Sequence, residues 1–78
     1  MPVTVSRSEW LGRFAAELGI PEPTEEEIES LLTLAGTAAH SSERTAAPLS
    51  CWLVGRASLD PAAARAAADR LAARLPQE

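Results

Sequence analysis

Leu18-Gly19-Ile20-Pro21-Glu22-Pro23-Thr24-Glu25-Glu26-Glu27-Ile28 stops one helix and starts another, the pattern of a chain built from short helices. Gly19 can take the left-handed conformation that closes a helix, and Pro21 and Pro23 forbid its continuation. Thr24 with Glu27 is a Thr-x-x-Glu capping box, in which the hydroxyl accepts from the Glu27 amide and the carboxylate reaches back. Glu25, Glu26 and Glu27 put negative charge where the helix dipole is positive, so this acidic run reads as structural.

Upstream, Ser6 and Glu9 repeat the box, and Trp10, Leu11, Phe14, Ala15 and Leu18 follow on one helical face. Downstream, Ile28, Leu31, Leu32, Ala35, Ala38 and Ala39 recur at three- and four-residue steps. Gly36 lies inside that second helix, where glycine costs about 1 kcal/mol relative to alanine, and close approach of a neighbouring helix would explain it. Pro48 suits the first turn of a third helix, in which Leu49, Trp52, Leu53, Val54 and Ala57 cover most of the circumference. That distribution places the third helix at the centre of a bundle. Asp60 before Pro61 caps a fourth, with the stripe Ala64, Ala67, Ala68, Leu71, Ala72 and Leu75.

No stretch alternates polar and apolar residues for long, so the fold class is all-α: a compact bundle of four short helices at about 6–18, 24–40, 46–57 and 61–75. Short loops favour antiparallel or orthogonal neighbours. Residues 1–78 make one domain. A chain this short buries only about 60% of its unfolded surface and has a margin of roughly 3–5 kcal/mol. The alanine stripe contributes little area, so the expected core is Trp10, Phe14, Leu18, Ile28, Leu31, Leu32, Leu49, Trp52, Leu53, Leu71 and Leu75.

Several classes are disfavoured by composition. The single cysteine, Cys51, excludes an internal disulfide framework, and no apolar run follows a basic amino terminus, so a cytoplasmic location is expected. Nothing approaches the roughly 18 apolar residues of a membrane span. The net charge of −4 argues against non-specific nucleic-acid binding. Residues 1–39 carry seven acids against Arg7 and Arg13, whereas residues 40–78 carry four against Arg44, Arg56, Arg65, Arg70 and Arg74. All seven cations are arginine, which with the alanine content points to a high-GC genome.

Candidate chemistry gathers between the second and third helices. His40 can bond the last carbonyls of a helix and offset its dipole. One His and one Cys make a poor zinc set, so no metal or cofactor is expected. As a general base His40 would need Ser41, Ser42, Cys51 or Glu43 beside it, yet no nucleophile elbow or phosphate-cradling loop occurs, and the chain does not read as an enzyme. Glu43 reads as structural. Arg44 is suited to a carboxylate or phosphate, with amides at the start of the third helix nearby, or else ties the loop to the acidic second helix. Arg56 shares a stripe with Leu49, Trp52 and Leu53, where it stacks on Trp52, pairs with an acid, snorkels, or contacts a partner. Cys51 reads as a small buried apolar residue, with a reactive thiol as the alternative.

Leu34-Ala35, Ala39-His40, Glu43-Arg44, Ala46-Ala47-Pro48-Leu49 and Leu53-Val54-Gly55, with Trp10 upstream, carry a resemblance. This pattern resembles a small actinobacterial domain of unknown function that occurs alone or fused behind MobA-like molybdenum cofactor guanylyltransferases. The likeness covers roughly residues 8–57, and the fourth helix matches only as alanine-rich pattern. Ser41, Ser42 and Thr45 depart from it, standing where glycine, an apolar residue and proline are common.

The resemblance implies context and no activity: a non-catalytic accessory module in molybdenum cofactor biosynthesis or delivery. Its partner would be a protein, a molybdenum cofactor enzyme or a guanylyltransferase. His40, Ser41, Glu43, Arg44, Pro48 and Arg56 are the candidate interaction residues. A module holding a phosphorylated pterin or nucleotide at Arg44 is the alternative, and a helix-turn-helix DNA binder a weaker one. The chain is expected to be a monomer or a weak homodimer, since an exposed apolar face on so small a bundle favours pairing.

Overall fold

The computed structural model describes residues 4–76. It contains α1 (Arg7–Leu18), α2 (Glu25–Ser41), α3 (Ala46–Ala57) and α4 (Pro61–Arg74), and no strand forms among the described residues. The fold is all-α, with helices packed on one another.

Local chemistry explains each boundary. Thr24 Oγ1 accepts from the Glu27 amide at 3.1 Å, and the Thr24 amide donates to Glu27 Oε1 at 2.8 Å, completing the capping box. Only half of the first box forms. Ser6 Oγ accepts from the Glu9 amide at 3.0 Å, but the Glu9 carboxylate turns forward to Arg13 at 2.9 Å, an i,i+4 pair that competes for it. Asp60 Oδ2 accepts from the amides of Ala62 and Ala63, with Pro61 at the first helical position.

Helix α1 ends in a Schellman motif. Gly19 stands at φ 74°, its amide donates to the Ala16 carbonyl, and the Ile20 amide donates to the Ala15 carbonyl. The same closure ends α3: Ser58 sits at φ 56° and donates to Gly55, and Leu59 donates to Val54. A non-glycine residue there carries backbone strain that nothing in the residue pattern announces.

The spine is α2, against which α3 and α4 both pack. Thr37 Oγ1 lies 3.5 Å from Asp69 Oδ1, and Thr24 and Asp60 border one depression at the helix starts, so α2 and α4 run in the same direction. Helix α3 also packs along α2, leaving a gap between itself and α4. The buried core is Leu34 at 3% exposure, with Ala64 and Ala15.

That core differs from the expected one. Leu31 and Ile28 are half-buried, whereas Trp10, Phe14, Leu18, Leu32, Leu49, Trp52, Leu53, Leu71 and Leu75 are exposed. Helix α3 buries no residue at all, so it is not the centre of the bundle. Leu34, outside the stripe read from the sequence, is the residue that α3 and α4 cover together. Gly36 is not a close-packing site either: a Cβ built there meets nothing within 4 Å.

The result is an open arrangement. The chain exposes 6319 Å², against roughly 4,500 Å² for a folded monomer of its 8.2 kDa mass. Its radius of gyration is 14.1 Å, where about 11.5 Å is usual for this length.

Candidate functional site

Two surfaces meet at the α2–α3 junction. The first is the connection itself. His40 occupies the last turn of α2, at the negative end of the helix dipole, and is exposed. Ser41, also exposed, is the last residue of α2. Ser42 caps it by donating its amide to the Ala38 carbonyl at 3.0 Å.

Glu43 and Arg44 are exposed, and they work through their backbones. The Glu43 carbonyl accepts from the Ala46 amide at 2.9 Å, and the Arg44 carbonyl from the Ala47 amide at 3.1 Å. These bonds correct one expectation. The start of α3 does not offer free amides beside Arg44, because Ala46 and Ala47 donate to the turn and Pro48, third in the helix, has no amide. Thr45 adds no side-chain cap.

Among the described residues, no hydrogen bond joins His40 to Ser41, Ser42, Glu43 or Cys51. No group of three or more His, Cys, Asp or Glu converges there. Cys51 is half-buried with a free thiol. Arg44 does not tie the loop to the acids of α2: the ion pair found among the described residues is Arg13 with Glu9.

From Pro48 the surface continues along α3. Pro48, Leu49, Trp52 and Arg56 recur at helical steps and are all exposed, Leu49 and Trp52 each at 63%. Arg56 shares this face with Trp52 without stacking on its ring; the aromatic contact among the described residues is Trp10 on Phe14. Arg44 lies one turn before Pro48, so the loop and the outer face of α3 form one continuous strip.

The second surface is a groove of about 350 Å³ between α3 and α4. Its floor is α2, at Leu34, Thr37, Ala38 and Ser41. Leu53, Val54 and Ala57 of α3 form one wall. Ala64, Ala67, Ala68, Leu71, Ala72 and Leu75 form the other, and Leu59 lies with them. The alanine stripe of α4 thus packs on α2, with Ala64 buried, and continues outward as the wall of a groove. Sequence reasoning missed this site because the whole stripe was read as lying against neighbouring helices. A usable signal existed in α3, whose apolar perimeter is wider than one neighbour can cover.

No helix among the described residues is long and apolar enough to cross a membrane. No characterised protein and no solved structure matches the chain. A family model described as a domain of unknown function (DUF6457) matches residues 3–78, and the chain belongs to that family.

Proposed function

We propose that this chain is a non-catalytic helical interaction module that docks on a partner protein through the strip from His40 to Arg56. The observation that carries this reading is Trp52, 63% exposed on a helix, with Leu49 equally exposed and Arg56 on the same face. Tryptophan and arginine are the side chains most often found at the energetic centre of protein interfaces. Water-exposed Trp52 and Leu49 are unfavourable for the chain alone, and covering each would contribute roughly 1.5–3 kcal/mol.

The resemblance of the Leu34–Gly55 stretch to domains fused behind MobA-like enzymes supports a partner in molybdenum cofactor biosynthesis or delivery, either a guanylyltransferase or a molybdenum cofactor enzyme. It equally supports an actinobacterial origin, and the single cysteine, which leaves no internal disulfide, suits a cytoplasmic location. The chain lacks a glycine-rich nucleotide loop of its own, so guanylyl transfer would belong to the partner. The bonded amides at the start of α3 weigh against a phosphorylated ligand at Arg44, the alternative reading.

The test is a pull-down of molybdenum cofactor guanylyltransferase by the wild-type chain and by Trp52→Ala, His40→Ala and Arg44→Ala. Trp52→Ala should weaken capture most, and all three should keep the wild-type helical circular dichroism. Equal capture by wild type and all three variants would reject this strip as the docking surface.

A further inference from the structure

We infer that a second copy of this chain fills the α3–α4 groove, laying Trp10, Phe14 and Leu18 of its α1 between the two walls while its own groove receives the same face in return. This pairing leaves Leu49 and Trp52 of the partner strip outside it, since neither lines the groove, although Ser41 borders both surfaces.

Four observations converge. First, α1 presents two faces. Ala15 is buried and Leu11 half-buried within the chain, whereas Trp10, Phe14 and Leu18, spaced four apart, are 55%, 46% and 55% exposed. The outward rings of Trp10 and Phe14 stack, with centroids 5.5 Å apart, so they form one continuous apolar surface. Second, the lengths match. The 12 residues of α1 span about 18 Å, and the α4 wall from Ala64 to Leu75 about 16 Å.

Third, charge does not oppose the contact. Helix α1 is neutral, with Glu9 and Glu17 against Arg7 and Arg13, and the groove lining carries no charged residue. An apolar face on a neutral helix can therefore enter the apolar groove without burying a charge against the lining. Fourth, the area is sufficient. The chain exposes roughly 1,800 Å² more than a folded monomer of its mass, and one side of a stable interface needs about 800 Å². The contact is self-complementary and closes under two-fold symmetry, so it ends at a dimer.

Sedimentation equilibrium on the full chain tests the pairing, at concentrations up to about 100 µM, well above a micromolar Kd. A dimer is expected. Phe14→Glu on the helix and Ala68→Glu in the groove should each weaken it by about 30-fold or more, as truncation of a central contact does. Mixing the two variants should recover heterodimer, because the intact α1 of one fits the intact groove of the other. That recovery also shows that each variant is folded.

A readout without destabilising changes is a nitroxide at Glu17→Cys in a Cys51→Ser background, mixed with nitrogen-15-labelled wild-type chain. Broadening of the amides from Ala64 to Leu75 is expected. A monomer throughout the concentration range, a dimer indifferent to both variants, or broadening confined to other elements would each overturn the inference.

Discussion

Helices α2 and α3 are neighbours with opposite fates. The opening turn of α2 is entirely acidic, yet it buries Leu34 to 3% exposure under both flanking helices. Helix α3 carries Leu49, Trp52, Leu53 and Val54 and buries nothing. The better-covered helix is the one with the more polar ends. In a chain this small, position in the packing order sets burial, and an apolar helix at the edge is left with its apolar face in water.

The sharpest way to break this contrast is to truncate one residue from each helix. Leu34→Ala should cost about 3 kcal/mol, the usual loss for a fully enclosed leucine, and so remove most of a margin of roughly 3–5 kcal/mol. Trp52→Ala, although it deletes a larger side chain, should stay within about 0.5 kcal/mol of wild type, as exposed positions do. Urea denaturation below the concentration at which chains associate checks both. Equal losses would mean that α3 is a core helix in solution.

The caps give a second contrast. Thr24→Ala removes a hydroxyl that holds the Glu27 amide and should cost about 1 kcal/mol. Thr45→Ala, at the corresponding position of α3, removes no cap bond and should change the thermal midpoint little. Gly36→Ala should stabilise by about 0.5–1 kcal/mol, because the added methyl meets open space within a regular helix. A loss there would restore the close-packing explanation for this glycine. Ser58→Gly should give the smallest gain, a few tenths of a kcal/mol, by relieving the left-handed conformation that closes α3.

What was legible in the residues follows the same division. Ser6, Thr24, Asp60, Gly19 and the flanking prolines act on amides and carbonyls within one turn, so four helices and nearly all their ends could be read before any packing was known. The carboxylate of Glu9 escaped because two partners within reach competed for it. Burial was not legible. Periodicity identifies an apolar face without naming what covers it, so Leu71 and Leu75 read as core and stand exposed on a groove wall. The candidate loop was found through its residue types, but the freedom of its amides depended on carbonyl directions at Glu43 and Arg44 that no pattern encodes.

The closure at Gly19 sets an angle as well as an end. With Ile20 bonded back to Ala15 and with Pro21 and Pro23 each fixing one φ, the link from α1 to α2 has few conformations open to it. An element on a restricted link gives up little internal freedom when it meets a surface. The pairing inferred through α1 would therefore lose less entropy than one made through a glycine-rich link, and its lifetime, more than the search for the right pose, would govern how tightly it holds.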